Sequence, residues 1–173
     1  MLIACKYEEI WPPQIRDYIH MCDKAYTKDQ IIEMELCMLS ELDFNVDFIS
    51  SNSFLERMVQ ISKADKTTHH LAQYMLEISM LDYSSIQMQP SYLAMSALYQ
   101  AQKILRKNSQ ISNSLLEYTQ ISHRNLYSIS QVLFKLLKNY QKSNNKLIGL
   151  KKKFSIDEFS NVSTYQFDFS SLL

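Results

Sequence analysis

The sequence predicts an all-α protein, and two observations lead to that prediction. Its 173 residues contain a single glycine, Gly149, although hairpin turns and phosphate-binding loops both depend on glycine. Apolar residues recur at helical spacing, with little interruption, through most of the chain. The scarcity of glycine also excludes a Rossmann-type nucleotide site and protein-kinase catalysis within this chain.

Composition limits the classes of protein that this chain can represent. A hydrophobic content of 46% suits one substantial domain or two small ones. Eighteen basic and 18 acidic residues give a formal net charge of +0, so no global field attracts nucleic acid or an anionic membrane. No apolar run approaches the roughly 20 residues of a membrane span. We therefore expect a soluble protein whose partners are chosen by local complementarity.

Cysteines and histidines do not predict a metal site. Cys5, Cys22 and Cys37 are odd in number and lack the C-x-x-C spacing, so we expect buried, reduced thiols in an intracellular protein. The adjacent pair His69-His70 diverges by about 100° on a helix and cannot easily share one ion, which predicts surface histidines. His20 and His123 are read in the same way. We expect no metal, no cofactor and no catalytic residues.

Three helices are predicted within the first 44 residues. The first ends near Ile10, because Pro12-Pro13 cannot continue it but can open the next helix at a position that loses no hydrogen bond. Thr27, followed by Gln30 three residues later, forms a capping box that starts the third helix.

Two charged residues stand among apolar neighbours on the first and third of these helices. Glu35 has Leu39 one turn away, and Lys6 has Ile10 one turn away, so each charge lies within an apolar stripe. A local explanation is also open, in which Lys6 pairs with Glu9 and Glu35 lies at the edge of its stripe.

The residues around these charges resemble a mitotic, A/B-type cyclin. The resemblance is carried by the run K-Y-E-E-I-W-P-P at 6–13, the A-Y-T helix start at 25–27 and the Met34-Glu35 pair, which match the second part of a first cyclin box. It implies a cyclin fold, with a partial first repeat lacking its N-terminal part and a complete five-helix second repeat. The implied domains are the truncated first box at 1–48, the second box at 49–141, and a C-terminal extension at 142–173 that packs on the second box.

Helical patterns after residue 48 supply the expected second repeat. They predict helices over 51–61, 67–81, 90–105, 113–120 and 124–140. Pro90 matches the opening of the central helix in the family, where Ala94, Ala97 and Ala101 let neighbours approach closely. A generic helical bundle uses alanines in the same way.

The last 30 residues are predicted to support the second repeat. The Lys151–Lys153 run is read as a solvated helix face, because so short a run rarely forms a phosphate or import site. Tyr165, Phe167 and Phe169 are expected to lie against the domain.

The resemblance implies a function as well as a fold. It implies a regulatory subunit, not an enzyme, that binds and activates a cyclin-dependent protein kinase by packing against its αC helix in cell-cycle control. The implied kinase-binding surface consists of Lys6 and Glu35 as a hydrogen-bonded pair, with Ile3, Tyr7, Leu39, Phe44 and Val46. We expect such a protein in the nucleus and cytoplasm, with no nucleic-acid, membrane or small-molecule partner.

Two other interpretations stay open at this point. The first two helices of the family do not appear in the sequence, so we expect an exposed apolar patch on the first helix and either a fragment or a degenerate cyclin. One alternative is therefore a cyclin-fold interaction module that does not activate a kinase. The other is a cyclin-fold protein of the transcription-factor type, which the balanced charge disfavours.

Overall fold

The computed structural model describes residues 1–106, 113–142 and 148–165, and these residues form two compact units. The first unit covers Met1–Phe48 and the second covers Ile49–Leu173. The described residues contain helices and no strand, which confirms the all-α prediction.

The first unit contains three helices. They are α1 (Leu2–Glu8), α2 (Ile15–Met21) and α3 (Lys28–Glu41). The capping box predicted for α3 is confirmed, since the Gln30 backbone N–H donates to Thr27 Oγ1 at 3.3 Å and the Thr27 N–H donates to Gln30 Oε1 at 2.9 Å.

The start of α2 differs from the prediction. Pro12 and Pro13 lie before the helix, which begins at Ile15 with Gln14 as its N-cap. The Gln14 backbone N–H donates to Asp17 Oδ2 at 2.8 Å. A carboxylate in the first turn satisfies a free donor and interacts favourably with the helix dipole, so this capping box, and not the proline pair, fixes where α2 starts.

Thiol burial in the first unit was also predicted wrongly. Cys22 and Cys37 are exposed, Cys5 is half-buried, and all three are free thiols. Of residues 1–48, only Tyr18 is buried. The Cys5 side chain and burial together raise the pKa of Tyr18 to about 12. The interior of this three-helix unit is too small to bury Cys22 and Cys37 as well.

Within its described residues, the second unit contains six α-helices, with short 3₁₀ turns between and after them. Its helices are α4 (Ser51–Ser62), α5 (Lys66–Ser79), α6 (Pro90–Ile104), α7 (Asn113–Thr119), α8 (His123–Lys142) and α9 (Gly149–Lys153). The 3₁₀ turns are Tyr83–Gln87, Asp157–Phe159 and Val162–Thr164. Helices α4 to α8 confirm the predicted five-helix repeat.

Helix α6 lies at the centre of the second unit and packs against α4, α5 and α8. Ala94, Ala97 and Ala101 are completely buried. Their small side chains leave space for the large core residues of the flanking helices, among them Leu55, Leu71, Leu133 and Leu137. Close packing of this kind requires small residues where helices cross, as the sequence pattern indicated.

The end of the described chain packs on α5. Phe154 is completely buried, with its ring centroid 5.0 Å from that of Tyr74 and 4.9 Å from that of Phe159. Within the lysine run, Lys152 and Lys153 are exposed, but Lys153 also forms an ion pair with Glu77 at 2.5 Å. The run is therefore only partly a solvated face.

The aromatic tail is described only in part. Gln141 Nε2 donates to the Tyr165 carbonyl oxygen at 3.3 Å. Phe167 and Phe169 lie outside the described residues, so their packing stays a prediction.

The surface position predicted for His69 and His70 was wrong. Both are half-buried, whereas His20 and His123 are exposed. His70 Nδ1 lies 2.9 Å from Ser160 Oγ, and its ring meets the Phe159 ring edge-on at 5.6 Å. The C-terminal segment covers this part of α5, which a reading of α5 alone does not reveal.

The described residues offer neither a metal-binding cluster nor a membrane-spanning helix. No group of His, Cys, Asp and Glu side chains in the described ranges is arranged to hold a metal ion. No helix there has both the length and the apolar character needed to cross a membrane.

Replacement of Gln100 by methionine is expected to stabilise the second unit. Gln100 is completely buried on α6, and its side-chain oxygen and nitrogen have no hydrogen-bond partner among the described residues. Because an unsatisfied buried polar group costs about 1–3 kcal/mol, Gln100→Met should raise the free energy of unfolding by about 1 kcal/mol or more in urea denaturation. The exposed Gln87→Met is the control, and a loss of stability in Gln100→Met would contradict the prediction.

The stability of the second unit is expected to fall as the pH drops below 6.5, the ordinary pKa of a histidine side chain. Burial lowers the pKa of His70 from 6.5, His69 and Lys66 act in the same direction, and Glu158 opposes them. The neutral ring is thus favoured in the folded state, so its contribution is complete above pH 6.5 and is lost as the pH falls through the folded pKa. Urea unfolding at several pH values should show a weaker pH dependence for His70→Gln than for the wild type. The exposed His123→Gln should match the wild type, and equal slopes in all three proteins would refute the assignment.

Candidate functional site

Lys6 and Glu35 form an ion pair that joins α1 to α3. Lys6 Nζ lies 2.7 Å from Glu35 Oε1 and 2.9 Å from Oε2, so the ammonium group contacts both carboxylate oxygens. The Lys6 side chain is 49% exposed and that of Glu35 is 15% exposed. This pairing across 29 residues is the one that the family resemblance implies. Lys6 therefore does not depend on Glu9 for a partner.

The next residue on α1 makes a second cross-link. The Tyr7 hydroxyl donates to Asp47 Oδ1 at 3.0 Å, across 40 residues of sequence. This hydrogen bond, together with the negative charge of Asp47, raises the pKa of Tyr7. Asp47 was not identified from the sequence, because an exposed carboxylate beyond the end of α3 has no periodic or motif signal.

The remaining five predicted surface residues all fall in the first unit. Ile3 is half-buried on α1, one turn before Lys6, and Leu39 is half-buried on α3, one turn after Glu35. Residues at these spacings share a helix face. The structure therefore places apolar side chains on both helices beside the ion pair.

Phe44 and Val46 lie in the segment that follows α3. Val46 is half-buried, while Phe44 is 62% exposed and the Tyr7 ring is 52% exposed. Large apolar side chains grouped at the surface are typical of sites where another protein binds. The segment thus carries an exposed aromatic ring three residues before Asp47, the partner of Tyr7.

Backbone geometry fixes the direction of this segment. The Phe44 N–H donates to the Leu39 carbonyl at 2.8 Å, and the Asp43 N–H donates to the Ser40 carbonyl at 3.1 Å. These are the two hydrogen bonds of a Schellman motif, which is often accompanied by an apolar contact between the positions occupied by Phe44 and Leu39. Asp43 and Phe44 both have left-handed φ values, of 51° and 56°. For an aromatic residue this conformation costs about 1–3 kcal/mol and persists only when its surroundings hold it.

An apolar groove lies between α1 and α3, next to the ion pair. Its volume is about 610 Å³. The lining consists of Met1, Leu2, Ile3, Tyr26, Gln30, Ile31, Glu33, Met34, Glu35, Cys37 and Met38. Most of the lining belongs to α3, whereas α1 and its N-cap contribute Met1, Leu2 and Ile3.

Family models place both units in one family. A model of the cyclin N-terminal domain matches residues 1–47, and a model of the cyclin C-terminal domain matches residues 49–168. The boundary between the two matches coincides with the division between the two units.

Curated relatives support the same family. The chain is 37% identical to G2/mitotic-specific cyclin-B of Marthasterias glacialis over 95% of its length, 34% identical to G2/mitotic-specific cyclin-B2 of Oryzias javanicus over 94%, and 33% identical to cyclin-B2-2 of Arabidopsis thaliana over 95%. These alignments cover 42%, 42% and 38% of the three relatives, so the chain spans about two-fifths of the length of the proteins that it matches. With family models matching both units and similarity to B-type cyclins from animals and a plant, the chain belongs to the cyclin family.

Proposed function

We propose that this chain is a regulatory subunit that binds a cyclin-dependent protein kinase and activates it by packing against the αC helix of the kinase. The observation that carries the proposal is the Lys6–Glu35 ion pair, which joins α1 to α3. Half-buried apolar residues lie one turn away on each helix, Ile3 on α1 and Leu39 on α3. A rigid apolar surface of this kind suits the face of a partner helix.

Activation follows from the energetics of packing. Transfer of phosphate by a kinase requires an αC glutamate to pair with the lysine that positions ATP. A surface that binds the inward orientation of αC more tightly than the outward one shifts the kinase population towards the active state. No group on the regulatory subunit needs to react.

Apolar residues and the ion pair contribute differently to such a complex. Burying one large apolar side chain contributes about 1.5–3 kcal/mol before the costs of association. An ion pair that becomes buried roughly balances its own desolvation and mainly fixes register. We infer that Leu39, Phe44, Ile3, Tyr7 and Val46 supply affinity, and that Lys6 and Glu35 set the geometry.

The descriptions of the relatives indicate the cellular process in which the proposed activity would take part. The relatives from Marthasterias glacialis and Oryzias javanicus carry the description G2/mitotic-specific, so the proposed role is control of cell division. We also propose the nucleus and cytoplasm as its location. The proposal includes no catalysis by this chain, no cofactor, and no nucleic-acid, membrane or small-molecule partner.

Replacement of Phe44 by aspartate is expected to abolish kinase binding. The ring is largely exposed in the free chain, so the substitution should leave folding intact while placing a charge in the apolar contact. Leu39→Asp should have the same effect on binding. Isothermal titration against each purified cyclin-dependent kinase of the host organism measures the loss.

The matched control is Tyr83→Asp, which alters an aromatic ring on the second unit that is 83% exposed. It should bind like the wild type, and a thermal melt of each variant checks its fold. Undiminished binding by a folded Phe44→Asp variant would contradict the proposed surface. Binding of the wild type without any rise in kinase activity would select the interaction module instead.

Removing either partner of the ion pair is expected to weaken binding. Lys6→Ala and Glu35→Ala should each raise the dissociation constant at least about thirtyfold, a loss of about 2 kcal/mol or more, because the remaining charge is buried in the complex without its partner. In the free chain the same changes should lower the free energy of unfolding by less than about 1 kcal/mol, since Lys6 is half-exposed. The exposed Lys28→Ala is the control. If both variants bind the kinase as tightly as the wild type, the pair has no part in the mechanism.

A further inference from the structure

Two consecutive residues of α1 hold the two halves of the candidate surface. Lys6 binds Glu35 in the middle of α3, and Tyr7 binds Asp47 in the segment after α3. The first bond fixes helix against helix. The second reaches past the end of α3, into backbone that has no regular hydrogen-bond ladder.

The segment between α3 and Asp47 needs an external restraint. It is tied to α3 by the hydrogen bonds from Asp43 and Phe44, and the Asn45 N–H donates to the Leu42 carbonyl at 2.8 Å. Beyond that point, the Val46 N–H donates only to the Phe44 carbonyl, at 3.2 Å, within the same segment. Two successive left-handed residues, one of them aromatic, persist only where the surroundings hold them. The bond from Tyr7 is the side-chain contact that fixes the far end to a helix.

We propose that Tyr7 and Asp47 form a positioning pair that holds the Phe44–Val46 segment in its binding conformation. Tyr7 thus acts through Asp47, in addition to any contact made by its own ring. The inference rests on the proposed function, because the segment matters for binding only if it meets the kinase.

The chemistry of the two groups allows the pair to be dissected. Tyr7→Phe removes the donor and keeps the ring. Asp47→Ala removes the acceptor, whereas Asp47→Asn keeps a carbonyl oxygen that accepts the same hydrogen bond. The matched control is Tyr83→Phe, which removes a hydroxyl from an exposed ring on the second unit.

The first measurement uses the full free chain and does not depend on any kinase. Amide hydrogen exchange, followed by NMR, reports how firmly the Phe44 and Val46 N–H groups are held. Tyr7→Phe and Asp47→Ala should each speed exchange at these amides by about 2- to 10-fold, the effect of losing one hydrogen bond. Asp47→Asn and Tyr83→Phe should leave it unchanged. Unchanged exchange in Tyr7→Phe and Asp47→Ala would overturn the inference.

The second measurement is affinity for the kinase that the wild-type chain binds. Tyr7→Phe and Asp47→Ala should each raise the dissociation constant by about 2- to 10-fold. The double variant should be no weaker than either single variant, since both remove the same bond. Asp47→Asn should restore near-wild-type affinity.

Independent, multiplying effects of the two single variants would overturn the inference, because they would mean that each group contacts the kinase separately. An Asp47→Asn variant as weak as Asp47→Ala would do so as well. Failure of the proposed function gives a different result: the wild-type chain binds no kinase, while hydrogen exchange still decides whether the pair holds the segment.

Discussion

The geometry of the first unit depends on polar cross-links from α1, because the unit has almost no interior of its own. Of residues 1–48, all described by the structure, only Tyr18 is buried. An interior this small cannot fix the relative position of three helices by apolar packing alone. The bonds from Lys6 to Glu35 and from Tyr7 to Asp47 tie α1 to α3 and to the segment after it, and they leave the apolar residues around them available to a partner.

The second unit is held together by apolar packing in a large core. Its central helix, α6, presents completely buried alanines to three neighbouring helices, and the core continues to Phe154 in the C-terminal segment. Dense packing of this kind resists deformation. The two units therefore differ in character: the second buries a dense apolar core, whereas the first keeps most of its apolar side chains at the surface.

Because the chain has a single glycine, other residues adopt the left-handed conformation at the ends of its helices. The chain uses Asp43, Lys63 and other non-glycine residues in the left-handed conformation that glycine usually adopts after a helix. At the end of α3 the strain extends to Phe44, an exposed aromatic residue of the candidate surface. Strained backbone tends to collect where a protein binds or switches, which agrees with the proposed role of this segment.

The sequence by itself determined the features that arise from neighbours along the chain. Helical periodicity located α4 to α8, Thr27 and Gln30 located the start of α3, and the charges within apolar stripes pointed to Lys6 and Glu35. Each of these signals is local, because helix caps and helix faces depend on residues within a few positions of one another.

Only the tertiary structure decided which distant groups meet. It exposed Cys22 and Cys37, covered His70 with Ser160 and Phe159, and brought Asp47 to Tyr7. Burial and long-range hydrogen bonds depend on what packs on a helix from elsewhere in the chain, and the residues of that helix do not encode their neighbours in space. The physical reason is the same in each case. Helix caps and helix faces depend on residues close together in sequence, whereas exposure and long-range contacts depend on the complete fold.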